Sequence, residues 1–170
     1  FKTLKVGDGF EDNVEVGPLI NQSAVEHCEA LLADAVSKGA KILLGGKRHA
    51  LGGNFFEPTV LTGMTRDMRV FQEEIFGPVL TIIPFDTEDE AVAIANDTIY
   101  GLTNYVQTTD LERRRRLSRK LQAGMVEMNG KSRARGAAFG GVKASGRARE
   151  GGVFGLEEFM DSKFISGWAE

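Results

Sequence analysis

Residues 79–95 read VLTIIPFDTEDEAVAIA, and this stretch decides the predicted fold. Its first part, 79–85, is an apolar run of the kind expected for a strand buried on both faces of a parallel sheet. Thr87 and Glu90 then form a capping-box pattern, and apolar residues at helical spacing follow until Gly101. A buried strand that leads into a capped helix predicts an α/β unit.

The same alternation of strand and helix recurs on either side of this unit. Further strands are predicted at 42–44, 58–61, 104–108 and 125–128. Amphipathic helices are predicted from capping boxes at Ser23 with Glu26 and at Thr109 with Glu112, ending near Gly39 and Ala123. Strands that alternate with single helices imply crossover connections and a parallel-type sheet covered by helices on both faces. The predicted fold class is therefore α/β.

The C-terminal end of the chain departs from this alternation. A glycine-rich loop at 130–152 precedes a helical stretch around 154–160, and Ser162 to Trp168 then reads as a strand without a partner nearby in sequence. We therefore divide the chain into a sheet unit, 1–152, and a tail, 153–170. An unpaired apolar strand favours association or aggregation unless something covers it, so this one pairs with another chain or folds back onto its own sheet.

Composition and charge exclude several classes of function. The chain has 170 residues, 42% of them hydrophobic, which suffices for an ordinary domain core. A net charge of −3 with charged residues spread along the chain argues against nucleic acid or an anionic membrane as a partner. One cysteine and two histidines without metal-site spacing predict no metal. No apolar run is long enough for a bilayer and the N-terminus lacks a signal-peptide pattern, so we expect a cytoplasmic protein.

The segment EEIFGPV at 73–79 places carboxylates and an aromatic ring in a proline-stiffened turn just before the strand at 79–85. A carboxylate accepts two hydrogen bonds from a diol, and a ring beside it offers a face for a flat heterocycle. Exposed glutamates are common and phenylalanine is usually a core residue, so the chemistry alone leaves a simple connector as the alternative.

The segment FGGVKASG at 139–146 resembles a phosphate-binding loop, because paired glycines direct backbone N–H groups at an anion. Its spacing excludes a P-loop, since Arg147 and Ala148 occupy the positions that require Lys and Ser or Thr. We therefore interpret 139–146 as a structural loop.

Two further features have a structural interpretation. Cys28 lies on the apolar stripe of its helix, where a free cysteine behaves as a small buried hydrophobe and not as a nucleophile. In the helix at 109–123, Arg113, Arg116 and Lys120 are predicted to form a solvated outer face, whereas Arg114 falls among leucines and requires a partner.

Several motifs together resemble the NAD(P)-dependent aldehyde dehydrogenases. These are EEIFGPV at 73–79, YGL at 100–102, and FGGVKASG at 139–146 followed by REGG at 149–152. They occur in the order and spacing typical of that family, and the resemblance extends over essentially the whole chain. The segment at 45–60 is most similar to the succinate-semialdehyde branch.

The resemblance implies roles for three residues. Glu74 corresponds to the glutamate that bonds the nicotinamide ribose of NAD or NADP, Phe76 to the aromatic residue near the nicotinamide ring, and Phe139 to an aromatic residue of the substrate tunnel. In the family a cysteine thiolate attacks the aldehyde, a hydride passes to the cofactor, and a glutamate activates the water that releases the acid.

The resemblance also implies that this is the C-terminal part of the enzyme. The nucleophile, the general base, the oxyanion-stabilising asparagine and the dinucleotide-binding half lie N-terminal to Phe1 in complete members, so no catalytic residue is expected here and the chain alone should be inactive. The strand corresponding to Ser162 to Trp168 pairs with another subunit, which implies a homo-oligomer. The alternative is a stand-alone, non-catalytic oligomerisation module derived from that family.

The loop before FGGVKASG departs from the family pattern. Ala138 replaces the usual proline, and residues 130–137 are about one residue fewer than is typical of such loops. The loop carries Lys131, Arg133 and Arg135, which either hold the carboxylate of a semialdehyde substrate or form a solvated basic surface.

Overall fold

The computed structural model of the chain describes residues 1–131 and 133–167. The chain separates into two compact units, 1–84 and 85–170, and each combines helices with a small sheet that contains a parallel strand pair. The α/β class is therefore confirmed, and within the described residues the strands form two sheets where we expected one. The division into a sheet unit, 1–152, and a tail, 153–170, stays a prediction.

The first unit builds a three-stranded sheet next to one long helix. Its elements are α1 (Gln22–Ser37), β1 (Lys41–Leu44), β2 (Thr59–Thr62), α2 (Arg69–Gln72) and β3 (Val79–Ile82). The strand order is β1-β2-β3, with β1 antiparallel and β3 parallel to β2, so this sheet is mixed and not wholly parallel. The predicted positions of all three strands are confirmed to within a few residues.

Helix α1 provides one side of the core of this unit. Its buried positions recur at helical spacing and are Val25, Cys28, Leu31, Leu32 and Ala35. They form one apolar cluster with Phe56, Leu61, Met68 and Val70 from β2, α2 and the segments beside them. Removing this apolar surface from water is the main contribution to the stability of the unit.

The predicted start of α1 is wrong by two residues. Asn21 is the N-cap, and its side-chain oxygen accepts the backbone N–H of Ala24 at 2.9 Å, whereas Ser23 already lies inside the helix. Both residues are of types that cap helices, and the Asn21 side chain is the one that bonds an N–H group of the first turn. The predicted stop at Gly39 is confirmed, with a φ of 101° there.

Strand β3 is not buried on both faces. It is shorter than the predicted 79–85, and Leu80 and Ile82 are each 44% exposed within the described residues. In the sheet order β1-β2-β3, the strand that neighbours β3 is β2. The apolar pattern of 79–85 therefore exceeds what this unit itself can cover.

The second unit contains a two-stranded parallel sheet and three helices. Its elements are α3 (Glu88–Asn96), β4 (Thr103–Val106), α4 (Leu111–Lys120), β5 (Met125–Met128), a 3₁₀ turn at Lys143–Ser145 and α5 (Gly152–Glu157). Strands β4 and β5 pair in register from Thr103 with Met125. The predicted strand, helix, strand sequence is confirmed.

The two predicted capping boxes in this unit have different outcomes. Thr87 is the N-cap of α3, and its hydroxyl oxygen accepts the N–H of Glu90 at 3.2 Å, as expected. For α4 the N-cap is Asp110 and not Thr109, since the Asp110 carboxylate accepts the N–H of Arg113 at 3.1 Å. An aspartate at this position also interacts favourably with the helix dipole.

The basic face of α4 is exposed, as predicted, and it is also paired with the acidic first turn of α3. Glu88 accepts two bonds from Arg116, at 2.9 and 2.8 Å, and one from Arg113 at 3.1 Å. Lys120 pairs with Asp89 at 2.6 Å. The bonds from Arg116, with a further contribution from Arg113, lower the pKa of Glu88 to about 2 although desolvation opposes the shift.

Arg114 has the partner that its position required. Its guanidinium donates to the backbone oxygens of Thr108 and Thr109, at 3.1 and 3.3 Å, just after β4. The same Thr108 exchanges two bonds with the side chain of Asn129 after β5. Arg114 therefore satisfies two backbone oxygens just after β4, and Asn129 links the same segment to the end of β5.

The tail forms no strand in its described part. Within 162–167 no residue pairs with either sheet, and Phe164 and Ile165 are 91% and 55% exposed. Trp168, the last residue of the predicted strand, lies outside the described residues. Folding back onto its own sheet, the alternative that we considered, is therefore not observed for 162–167. Across 1–131 and 133–167, no helix has the length and apolarity to cross a bilayer.

The Glu88 ion cluster predicts a specific acid sensitivity. A carboxyl group whose pKa falls from 4.5 to about 2 on folding stabilises the native state above pH 4.5, and that contribution is lost as the pH falls through 2. Glu88→Gln should therefore unfold more easily at neutral pH and should lose less stability than the unsubstituted protein between pH 4.5 and 2. Urea denaturation across this pH range measures both effects.

Glu112→Gln is the matched control, because Glu112 pairs with Arg115 on a surface where both side chains are more than half exposed. It removes the same charge and should leave the loss of stability between pH 4.5 and 2 unchanged. Identical pH profiles for Glu88→Gln and the unsubstituted chain would contradict the role of the cluster.

Candidate functional site

The turn at 73–77 connects α2 to β3 and presents two adjacent carboxylates in different environments. Glu73 accepts two bonds from Arg69, at 2.6 and 2.9 Å, and this pairing lowers its pKa. Glu74 is exposed, and among the residues that the structure describes none bonds its carboxylate. Glu74 is therefore available to accept hydrogen bonds from a ligand, whereas Glu73 is engaged.

Phe76, two residues after Glu74, has an unusual backbone conformation. Its φ is 47°, in the left-handed region that bulky residues rarely adopt, and its side chain is 77% exposed. A strained backbone that keeps a large aromatic ring in solvent is typical of residues with a binding role. The structure therefore places the ring of Phe76 on the surface, two residues from Glu74.

Helix α1 contacts this turn directly. A ring nitrogen of His27 lies 3.2 Å from the backbone oxygen of Glu74, and the oxygen can only accept, so the ring nitrogen donates. The sulfur of Cys28 lies 4.0 Å from the oxygen of Ile75, and any Cβ added at Gly77 would collide with it. The turn therefore rests directly on the helix.

Cys28 has the structural role that was expected from its position. Its side chain is fully buried, and burial, with a smaller contribution from Glu29, raises the pKa of the thiol. A raised pKa disfavours the thiolate, which is the nucleophilic form.

The motif at 139–146 is a structural loop, as its spacing indicated, and it bonds the segment at 96–101. The Lys143 ammonium donates to the backbone oxygens of Asn96 and Thr98, at 2.9 and 3.1 Å, and so completes the C-terminal end of α3. The Ser145 hydroxyl accepts the N–H of Gly101 at 3.0 Å, and the Val142 N–H donates to the oxygen of Gly101 at 2.9 Å. The motifs at 100–102 and 139–146 therefore bind each other.

Two of the predicted substrate residues lie together in the second unit. The guanidinium carbon of Arg133 is 4.9 Å from the centre of the Phe139 ring, within the range of a cation–π contact. The backbone of Phe139 is fixed by a pair of bonds with Glu150, at 2.8 and 2.7 Å. Lys131 and Arg135 are exposed on the same loop, and the Lys131 N–H closes a turn onto Met128 at the end of β5.

The predicted site residues thus form two local groups, one in each compact unit. Glu74 and Phe76 belong to the first, and Arg133, Phe139 and Lys131 to the second. Reasoning from sequence missed Arg69 and His27, which contact the first group. The four-residue spacing of Arg69 and Glu73 could have indicated their pairing on one helical face.

A cleft that the sequence did not indicate lies between α3, β4 and α4. Its volume is about 530 Å³, and it is lined by apolar side chains such as Val92, Tyr105 and Leu117 and bordered by Glu88 and Arg113. None of the predicted site residues lines it. Within the described parts of the chain, no three His, Cys, Asp or Glu side chains converge as a metal site requires.

Comparison with known proteins identifies what the chain resembles. The model of the aldehyde dehydrogenase family matches residues 1–165. A mitochondrial succinate-semialdehyde dehydrogenase of Oryza sativa subsp. japonica is 48% identical over 165 residues, which are 96% of this chain and 31% of that protein. A probable succinate-semialdehyde dehydrogenase [NADP(+)] of Sinorhizobium fredii is also 48% identical, over 96% of this chain and 34% of its own length.

The fold resembles solved structures of the same kind. A Mycobacterium tuberculosis aldehyde dehydrogenase in complex with NAD+ superposes with a TM-score of 0.91 at 38% identity, over 99% of this chain and 36% of that one. This chain therefore spans about one third of the length of the relatives that it matches.

Proposed function

This chain belongs to the aldehyde dehydrogenase family, and we propose that it is the C-terminal part of an oxidoreductase that oxidises an aldehyde to a carboxylic acid with NAD or NADP. The observation that carries this proposal is the exposed Glu74 carboxylate beside the exposed ring of Phe76 in the EEIFGPV turn. The family match over nearly the whole chain supports it.

We propose that Glu74 accepts hydrogen bonds from the two hydroxyl groups of the nicotinamide ribose and that Phe76 packs beside the nicotinamide ring. A carboxylate has enough lone pairs for both hydroxyl groups, and a ring next to it limits how the heterocycle can lie. Orienting the heterocycle brings its reactive carbon to the substrate, which is the contribution that a protein makes to hydride transfer. The choice between NAD and NADP stays open, since the names of the relatives include both.

For the substrate, we propose an aldehyde that carries a carboxylate, such as succinate semialdehyde. The contact between Arg133 and Phe139 supports this, because it puts a cation on the face of a ring that the family resemblance assigns to the substrate tunnel. A guanidinium binds a carboxylate through two parallel hydrogen bonds, and Lys131 on the same loop adds positive charge. Both of the relatives described above are named as succinate-semialdehyde dehydrogenases, which agrees with such a substrate.

The nucleophile and the general base would be supplied by the part of the enzyme outside this chain. Cys28 does not suit the role, since it is fully buried with a raised pKa. We expect the isolated chain to be inactive towards aldehydes with either cofactor. A cytoplasmic location also stays a prediction, because the names of some relatives specify the mitochondrion.

The second hypothesis is a stand-alone, non-catalytic module that associates with full-length subunits or with itself. The exposed apolar residues of the tail favour it, since such surface is usually covered in an assembly. The mass of the natural protein distinguishes the two hypotheses. A mass of 18.5 kDa supports the module, whereas a mass about three times larger supports the enzyme.

Replacing Glu74 tests the cofactor site. In the complete enzyme, Glu74→Gln should slow hydride transfer and weaken NAD or NADP binding, because a bond to a charged acceptor contributes about 1.5 to 3 kcal/mol. Stopped-flow absorbance of NAD(P)H measures the hydride step. Glu73→Gln is the matched control and should have a smaller effect, since Glu73 is engaged by Arg69. A folded Glu74→Gln enzyme with unchanged kinetics would exclude the role of Glu74.

Replacing Arg133 tests the substrate class. Arg133→Met should lower kcat/KM for succinate semialdehyde by about ten- to a hundredfold, the effect expected when a bond to a charged group is lost. Butanal, which has the same carbon chain without the carboxylate, should be oxidised at nearly the original rate. Arg119→Met is the control and should leave both activities unchanged, because Arg119 is exposed on α4 and lies outside this loop. Equal losses for both aldehydes would contradict carboxylate binding by Arg133.

Deleting the tail tests the proposed homo-oligomer. We propose that Ser162 to Trp168 adds a strand to another subunit, which would pair the backbone groups of 162–167 and cover Phe164 and Ile165. The full chain should be oligomeric by light scattering, and a chain ending at Asp161 should have a smaller mass. Phe159→Ser, which removes an equally exposed ring just before the segment, should leave the mass unchanged. Monomers in both cases at high concentration would refute the proposal.

A further inference from the structure

The turn that carries Glu74 is held by residues of α1 and α2, which lie outside the turn itself. The helix that precedes it, α2, begins where the Arg69 N–H donates to the carboxylate of Asp34 on α1 at 2.8 Å. Asp34 is itself paired with Lys38 at 2.9 Å, and these bonds lower its pKa. Arg69 is therefore anchored to α1 through its backbone, which leaves its guanidinium free to bind Glu73.

The start and the middle of the turn are fixed by different partners. At the first end, the guanidinium of Arg69 binds both oxygens of Glu73, at 2.6 and 2.9 Å. In the middle, His27 donates to the backbone oxygen of Glu74 at 3.2 Å, so it holds the peptide group and not the carboxylate. Within the described part of the chain, the carboxylate of Glu74 therefore stays unpaired while its backbone is held.

We propose that His27 and Arg69 are positioning residues for Glu74, an inference that rests on the proposed role of Glu74 in binding the nicotinamide ribose. His27 fixes the peptide group from which the Glu74 side chain extends. Arg69 keeps Glu73 away from the ligand, so that a single carboxylate meets the ribose. Without Arg69, two like charges on neighbouring residues would compete for the same hydroxyl groups and would repel each other.

The geometry also explains why both residues are needed. The φ of 47° at Phe76 is an unfavourable backbone state that persists only where the surrounding structure determines it. Three contacts with α1 and α2 surround that residue, namely the His27 bond, the packing of Cys28 against Gly77 and the Arg69–Glu73 pair. Losing either the His27 or the Arg69 contact lets the turn relax towards ordinary backbone conformations. The Glu74 side chain is then displaced, which slows a reaction that depends on orientation.

The test uses the complete enzyme and compares variants that remove or retain each donor. His27→Leu and Arg69→Met should each slow hydride transfer by about two- to tenfold, the change expected when one hydrogen bond is lost. His27→Gln and Arg69→Lys, which retain a donor, should recover part of the rate. Glu26→Gln is the control and should react at the original rate, because Glu26 is exposed on α1 and bonds Gln22 instead of the turn. The melting temperature of each variant shows whether a slower reaction results from unfolding of the enzyme.

A double-mutant cycle separates positioning from general stability. If His27 and Arg69 act through Glu74, neither substitution should slow hydride transfer further in a Glu74→Gln background. Effects that persist undiminished in that background, or original rates in both His27→Leu and Arg69→Met, would overturn the inference. If Glu74→Gln alone slows the reaction while the other variants do not, only the inference fails. If Glu74→Gln has no effect, the proposed role of Glu74 fails with it.

Discussion

The packing of one face of α1 is the interaction on which the first unit depends. The five buried side chains of α1 form one side of the core and fix the position of the helix, and His27, which lies between two of them, contacts the turn at 73–77. Cys28 belongs to the core and also contacts the turn, because it fills the space that Gly77 leaves. A buried apolar stripe thereby determines where an exposed carboxylate stands. Any change in the size of this stripe is transmitted to the turn, because protein interiors are close-packed.

Polar contacts join several elements of the second unit. Its helices α3 and α4 have no fully buried residues, and they meet through the Glu88 cluster and the Lys120–Asp89 pair. Lys143 and Ser145 add bonds that join the loop at 139–146 to the connection between α3 and β4. Polar pairs of this kind contribute less to stability than a buried core but determine geometry well. The loop that carries Phe139 is therefore placed by hydrogen bonds.

The sequence predicted the elements well because their signals are local. Apolar runs, capping patterns and glycines located all five strands and the three longest helices to within a few residues, and the stripe of α1 identified Cys28 as a core residue. What the sequence could not supply depends on neighbours distant in the chain. The local pattern fits both Ser23 and Asn21 as caps, and the structure uses Asn21. The outer face of β3 was assigned wrongly, and the pairing of the α4 cations with α3 was not foreseen, because burial and pairing depend on what lies opposite. Glu74, Phe76 and Phe139 were proposed as site residues from the family motifs, and their local chemistry alone left each with a simpler interpretation.

Both sheets pair strands that are only about 20 residues apart along the chain. The entropy lost on closing such short loops is small, and topologies dominated by near neighbours in sequence fold quickly. Each unit can complete its strand pairing from its own residues, without waiting for a segment synthesised much later. Within the described residues β3 has β2 as its strand neighbour, so its other edge is available as a template for a further strand.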